Sequence, residues 1–473
     1  MRFFLVFLLI VNAMFVSAQT VSQQLTNAMA QLEKDEQFKH ATLGLYVVET
    51  NSGKTVFEKN IQTGMAPASC QKVITSVTAF ELLGKDFVYK TYIGKDPASD
   101  FRSNAGCLFI IGAGDPTLGS WRWKTTQDTF IYSKIVTALK KQKLSTFDAN
   151  LVIQDFAYGL TPLPEGWIWQ DMGNYYGAAC FGFNWNENQF QLVLQPGTTE
   201  GSPATMITEK PFLYDVTLTN NIKTGKAGSG DEGYIYSSPY SNVMFTKGTV
   251  PLQKKPFTIS GSIPNPSNVF KTGLMNYLAN NAISFKGSAF SANEALINNQ
   301  PLHVCTNIID SIASPTFDSM NYWFLKKSIN LYGEAFLKSI WVKKNGFATR
   351  DNMYEQAIET VQNFWKEKGI EPSAINIMDG SGLSPANRVT THSLVTVMQY
   401  AKKQTWFPSF YNALPEMNGI KMKDGYIGGV RSYTGYIKSR SGVEYTFSFI
   451  VNNFSGSPAT VREKMYKLLD HLK

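Results

Sequence analysis

The chain has 473 residues, 43% of them apolar and 17% charged, with a formal net charge of +8. This composition excludes a disordered or fibrous protein and gives enough length for more than one folded unit. The basic residues are scattered without a polybasic block, so no nucleic-acid partner is expected.

Met1-Arg2 gives a basic start, Phe3 to Val11 an apolar run, and Val16-Ser17-Ala18 a small-residue cleavage pattern. The run is short for a membrane span. Residues 1–18 are therefore read as a secretory signal, with Gln19 as the mature N-terminus and no transmembrane anchor after it. Residues 21–35 carry Leu25, Ala28, Met29 and Leu32 at helical spacing. Leu43 to Val48 and Thr55 to Phe57 flank Asn51-Ser52-Gly53, the pattern of a hairpin. Pro67 and Gly84 then bracket Val73, Val77, Phe80 and Leu83, which predicts an amphipathic helix with a start and a stop.

Ser69 and Lys72 share one face of the first turn of that helix, and no other serine in the chain has a lysine three positions on. A serine hydroxyl needs a neighbouring base to become a nucleophile, and a lysine amine can serve if burial or a nearby cation lowers its pKa. Most isolated Ser-x-x-Lys matches are solvated helix surface, so the motif gains meaning only from partner motifs later in the chain. The four histidines are isolated, so histidine is not the expected base. The four cysteines permit disulfides without requiring them, and neither they nor the histidines show metal-site spacing.

From about 90 to 300, strand-like runs such as Cys107 to Ile111 and Gln191 to Leu194 alternate with Gly-, Pro- and Asn-rich turns, and few helices are expected. Gly112 to Thr117 is a turn rather than a phosphate cradle, because no Lys-Ser/Thr opens a helix behind it. Trp121, Trp123, Trp167, Trp169 and Trp185 have faces that could stack on sugars, although packing is the commoner role for such rings. After 300 the helical patterns return. Ser319 to Lys327 forms one and Ala335 to Ile340 belongs to the next, which puts Ser328 and Asn330 at the break between them. Asp379 to Ser384 is a turn cluster, strands run over Tyr433–Ile437 and Tyr445–Asn452, and Ala459 to Leu472 is a helix that should cover the terminal sheet.

Ser-x-x-Lys, then Ser-x-Asn, then a Lys-x-Gly on a late strand is the motif order of penicillin-recognising serine enzymes. The chain resembles one branch of them, the D-alanyl-D-alanine carboxypeptidase/endopeptidases of the DacB type, or type-4 penicillin-binding proteins. The resemblance runs through Pro67 to Lys72, Gly112 to Leu118, Asp171 to Ala178, Lys327 to Asn330, Asp379 to Ser384 with Asn387 to Val389, and Gly429 to Tyr436 on to Asn453. It implies an α+β fold, a transpeptidase/β-lactamase-like domain with an antiparallel sheet and helices. That domain is expected in two segments, 19–90 and 301–473, around a mostly β insertion over 91–300 with room for two subdomains.

Two literal Lys-Thr-Gly triplets, at 223–225 and 271–273, precede Ser328 and are read as turns. By position the third motif falls on Lys423-Asp424-Gly425, where Asp424 replaces the family's usual Thr or Ser. The resemblance implies that Ser69 is the nucleophile, Lys72 its base, Ser328 a proton relay and Lys423 the cation that keeps Lys72 partly neutral. Asn330 would hold the substrate peptide. Asp424, Gly425 and Tyr426 would line the substrate strand, with the Ser69 and Tyr426 N–H groups as oxyanion donors. The implied partners are peptidoglycan stem peptides, with β-lactams as inhibitors, in the periplasm, and neither a metal nor an organic cofactor is called for. Two carboxylates about 4 Å apart repel by about 4 kcal/mol at an effective dielectric of roughly 20, so Asp424 opposes a substrate's terminal carboxylate unless it is paired, for example with Arg431, or protonated. Two alternatives therefore stay beside the DD-peptidase: a weakly active or non-catalytic muropeptide-binding relative, and a β-lactamase or esterase on the same fold.

Overall fold

The computed structural model describes residues 20–96, 106–143, 146–147, 149–285, 287–300, 305–346 and 353–473. Residues 1–18, read from sequence as a secretory signal, lie outside them. No helix among the described residues is long and apolar enough to cross a membrane.

The two ends of the chain build one antiparallel sheet. Its six strands run in the order Glu416–Met417, Ile420–Ile427, Val430–Lys438, Glu444–Asn452, Thr42–Glu49 and Thr55–Lys59, so the first long strand pairs with the last. Gly53, at φ +71°, closes the expected hairpin. Strands Val430–Lys438 and Glu444–Asn452 are buried on both faces. Phe447, Phe449 and Val451 pack against Leu25, Met29 and Leu32 of the helix Val21–Glu33 and Val461, Met465 and Leu468 of the helix Pro458–Leu469. Tyr436 and Ile450 face a second, helical core on the opposite side.

That core surrounds the helix Lys72–Leu82, which is not amphipathic as the apolar spacing predicted: every residue from Lys72 to Phe80 is buried. The polar positions are interior because each hydroxyl has a partner. Thr75 Oγ1 donates to Gly380 O at 2.6 Å, and Ser76 Oγ to Asn321 Oδ1 at 2.7 Å. Thr78 Oγ1 accepts from Trp365 Nε1 at 2.8 Å. Gly84, at φ +86°, ends the helix as expected. Helices Phe317–Lys326, Asn330–Asn345, Met353–Glu367 and Thr391–Lys402 enclose it.

The middle of the chain has its own core and several sheets. A five-stranded sheet runs Ala289–Ser291, Ala149–Gln154, Gly106–Ile111, Lys90–Asp96, Ile308–Ala313, with parallel pairs at one side. A three-stranded sheet centres on Gln189–Gln195, and a further one carries Glu232–Tyr236 beside Val243–Pro251. This stretch is less purely β than its turn-rich sequence suggested. Helices Asp128–Lys141 and Pro266–Asn280 lie in it, and the first buries Ile131, Ile135, Val136 and Leu139 at helical spacing between short strands. The two Lys-Thr-Gly triplets are corrected with it. Lys223–Gly225 is a strand parallel to Val243–Pro251, and Lys271 to Gly273 lies inside the helix that Asn265 caps and Pro266 opens.

Candidate active site

The nucleophile motif sits where the helical core meets the sheet. Ala68–Gln71 forms a 3-10 turn and Lys72 begins the α-helix, so Ser69 precedes the helix instead of lying within it. Ala68 is held at φ +46°, a conformation costing an L-residue roughly 1–2 kcal/mol. Such strain is stored where surrounding contacts over-determine the backbone. Here Ser432 Oγ donates to Pro67 O, Cys70 Sγ donates to Lys423 O at 3.1 Å, and Gln71 Nε2 donates to Asp379 O at 2.6 Å. Burial pushes the Cys70 thiol up to about 11, so it is no rival nucleophile.

Lys72 is fully buried and its three donor directions are taken by neutral oxygens: Ser69 Oγ at 2.9 Å, Asn330 Oδ1 at 2.6 Å and Ser381 O at 2.7 Å. The Phe324 ring lies 5.8 Å from the ammonium. Burial first, and then the charge of Lys423, lower the Lys72 pKa to about 7, while Asp379, Glu334 and Asp424 oppose the shift. An amine in that range is both an acceptor and a donor of protons near neutrality.

The helix break brings Ser328 and Asn330 to the same place. Ser328 has φ +56° between helices Phe317–Lys326 and Asn330–Asn345 and lines the cleft, but its hydroxyl makes no hydrogen bond among the described residues. Asn330, expected to hold the substrate peptide, is occupied at both ends, because its Nδ2 donates to Tyr176 O at 2.7 Å. The Asp171–Ala178 stretch thereby reaches the site from the middle of the chain.

Strand Ile420–Ile427 passes along the other side of the turn. Gly425 is required there: a Cβ would lie 2.7 Å from Pro67 O and 2.8 Å from Ser69 N. Lys423, 1% exposed, donates to Asp424 Oδ1 at 2.9 Å and to Asp424 O at 2.7 Å. Asp424 thus pairs with its own neighbour; Arg431, the partner suggested by sequence, contributes a lesser attraction. Burial raises the Asp424 pKa, but the charge and hydrogen bond of Lys423, with Arg431 behind, outweigh it and hold the carboxyl below its usual range. Neither Lys423 nor Asp424 lines the cleft. The cleft, about 730 Å³, is lined by Ser69, Arg122, Ser328, Asn330, Tyr176, Tyr234 and Tyr426 among others.

Sequence reasoning missed two buried acids behind the site. Asp379 accepts from Gln71, Trp167, Gly382, Ser384 and Asn387. Glu334 accepts from Gly380 N at 2.9 Å with Oε2, whereas its Oε1 and the Ser381 hydroxyl, both buried, have no hydrogen-bond partner among the described residues. Burial, together with the Asp379 charge, raises the Glu334 carboxyl to about 8. The available signal was spacing, since Glu334 lies one helical turn after Asn330 and faces the same way. No cluster of three or more His, Cys, Asp or Glu side chains suited to a metal occurs among the described residues.

The profile of the D-Ala-D-Ala carboxypeptidase 3 (S13) family matches residues 25–417, stopping short of the strand that carries Lys423. Over 458 residues the chain is 24% identical to a D-alanyl-D-alanine carboxypeptidase of Actinomadura sp. (strain R39), covering 91% of this chain and 81% of that one. It is 21% identical over 434 residues to the D-alanyl-D-alanine carboxypeptidase DacB of Haemophilus influenzae, covering 88% and 86%. The crystal structure of penicillin binding protein 4 (dacB) from Haemophilus influenzae superposes with a TM-score of 0.77 at 19% identity, over 95% of this chain and 98% of that one. A second structure of that protein, complexed with a β-lactam, gives 0.71 at 18% identity, over 94% and 97%. At such identities the likeness of structure speaks to the fold.

Proposed function

The chain belongs to the D-Ala-D-Ala carboxypeptidase 3 (S13) family of serine peptidases, and from that premise we propose that it cleaves D-alanyl peptide bonds of peptidoglycan through an acyl-enzyme on Ser69. As an enzyme it is a D-alanyl-D-alanine carboxypeptidase by class. One observation carries the mechanism: the Lys72 amine, buried among neutral acceptors, lies 2.9 Å from Ser69 Oγ. In its neutral form Lys72 accepts the Ser69 proton as Oγ attacks the D-alanyl carbonyl. The bond to the leaving D-amino group then breaks, with a proton returned through Lys72 and Ser328. The Ser69 and Tyr426 N–H groups hold the oxyanion, a donor pair worth about 3 kcal/mol per member in comparable sites. Gly425 lets the strand Ile420–Ile427 close on the Ser69 turn, where a Cβ would meet Pro67 O and Ser69 N. Water hydrolyses the ester by the reverse sequence.

The work is expected outside the inner membrane, in the periplasm, on stem peptides and on the cross-links between them, with β-lactams acylating the same serine. Within this reading, residues 19–90 and 301–473 form the catalytic unit around the 91–300 segment, except that the strand Ile308–Ala313 pairs with Lys90–Asp96 in the sheet of the middle segment. Intact-protein mass after penicillin treatment tests the mechanism, and product analysis on cross-linked and uncross-linked muropeptides tests the substrate. A lasting adduct on Ser69 with release of D-alanine or of cross-linked partners is expected. Rapid penicillin turnover would make it a β-lactamase instead.

A second reading is favoured by the Lys423–Asp424 pair, which sets a carboxylate against the charge that helps keep Lys72 neutral. It makes the protein a weakly acylated muropeptide-binding relative. Absence of any adduct together with retained muropeptide binding would favour it.

A further inference from the structure

Of the five tryptophans that could stack on sugars, Trp167 and Trp185 are buried, and Trp123 is packed with Nε1 donating to Ser319 Oγ at 3.0 Å. Trp121 is 50% exposed and carries the Arg122 guanidinium 5.4 Å from its ring, while Trp169 is 51% exposed and its ring centroid lies 5.9 Å from that of Tyr236. Tyr236 in turn stacks on Phe245 at 4.9 Å with the planes 5° apart. The two strands beneath alternate. Ile235, Met244 and Thr246 point inward and are fully buried, while Tyr236, Val243 and Phe245 point outward. A sheet with one face on a core ordinarily carries polar residues on the other. Here one end of the outer face is apolar and aromatic, with Val243 57% and Phe245 38% exposed, while Glu232, Lys247 and Thr249 keep the other end polar. A run of exposed rings of this kind marks a surface that meets a ligand.

The run is continuous with the cleft. Tyr234, two residues before Tyr236 on the same face of the strand, lines the cleft with Ser69, as do Gln170 and Asp171, the residues just after Trp169. We propose that Trp169, Tyr236 and Phe245 form a stacking platform for the N-acetylated glycan strand from which the stem peptide hangs. The proposal rests on reading the cleft as the stem-peptide site. A stem of about five residues spans at most about 17 Å when extended, so its sugar must lie close to the cleft rim. The flat faces at that rim suit the C–H face of a pyranose, which gains dispersion and weak C–H···π contact without an induced charge. The outward rings repeat along the surface, as the sugars of a glycan do. A bare peptide would make no use of a platform beyond the cleft.

The test compares wild type with Trp169→Ala/Phe245→Ala on three substrates: penicillin, a sugar-free stem peptide, and the same peptide carried on glycan. Co-sedimentation with glycan strands stripped of their peptides gives a separate binding measurement. The double variant should keep penicillin acylation and sugar-free hydrolysis within about twofold, raise KM for the glycan-borne substrate about tenfold, and lose most binding to stripped glycan. Trp169→Phe, which keeps a flat ring, should restore most of both. Equal effects on the sugar-free and glycan-borne substrates, or no glycan binding by wild type, would overturn the platform. Failure of wild type to be acylated or to hydrolyse the sugar-free peptide would instead remove the reading of the cleft, and the sedimentation result would still decide the platform.

Discussion

Two lysines are buried to nearly the same depth on the two sides of the Ser69 turn, and they are compensated in opposite ways. Lys72, on the helix side, touches only neutral oxygens: a hydroxyl, an amide and a backbone carbonyl. Lys423, on the strand side, touches a carboxylate at 2.9 Å. A buried cation without a counter-charge releases its proton more easily. In the proposed mechanism the contrast divides the parts: Lys72 moves protons, and the charge of Lys423 makes this easier. Asp424 weakens that charge without abolishing it.

Ser69→Ala is the largest perturbation of this arrangement. It should remove the penicillin adduct and cost on the order of a millionfold in kcat, as loss of a serine nucleophile does elsewhere, with unchanged circular dichroism and melting. Lys423→Met removes the Lys423 charge. Without it, and with Asp424 still ionised nearby, the Lys72 pKa should rise above about 7. Acylation at neutral pH should fall about tenfold for each unit of that rise, and its pH profile should move to higher pH by the same amount.

Asp424→Thr makes the opposite change. Lys423 then faces Lys72 unopposed, the Lys72 pKa should fall, and acylation by a fluorescent penicillin below pH 7 should rise several-fold. Equal rates in wild type and variant would show that Asp424 has no influence on the chemistry. The smallest effect is expected from Glu334→Gln. With its carboxyl raised to about 8, Glu334 is mostly protonated where Lys72 titrates and opposes the Lys72 shift only through its ionised fraction, so the acylation profile below pH 7 should shift by less than about threefold. Glu334→Ala separates charge from packing. It leaves the Gly380 N–H without its acceptor and should cost about 1–3 kcal/mol of stability, visible as a lower melting temperature.

The helix side of the site was legible in the sequence because its signals are local. Ser69 and Lys72 are three residues apart, Ser328 and Asn330 stand at a break between two helical periodicities, and Gly84 ends a helix. The strand side was legible only by order along the chain. Nothing local distinguishes Lys423-Asp424-Gly425 from Lys271-Thr272-Gly273, and tertiary placement alone puts the first beside Ser69 and the second inside a helix capped by Asn265. The burial of every residue from Lys72 to Phe80 was hidden because the hydroxyls there look like solvent-facing positions until their partners, Gly380 O, Asn321 and Trp365, arrive from distant segments. Glu334 and Asp379 escaped for the same reason: a buried acid is identified by its neighbours, and those come from across the fold.

The central claim is that a lysine poised near neutrality activates Ser69. The second-order rate of penicillin acylation, monitored as adduct mass on Ser69 between pH 5 and pH 9, tests it most directly. The rate should climb tenfold per pH unit below the Lys72 pKa and level off above about 7. A rate independent of pH across that range, or an adduct carried by another residue, would contradict the account.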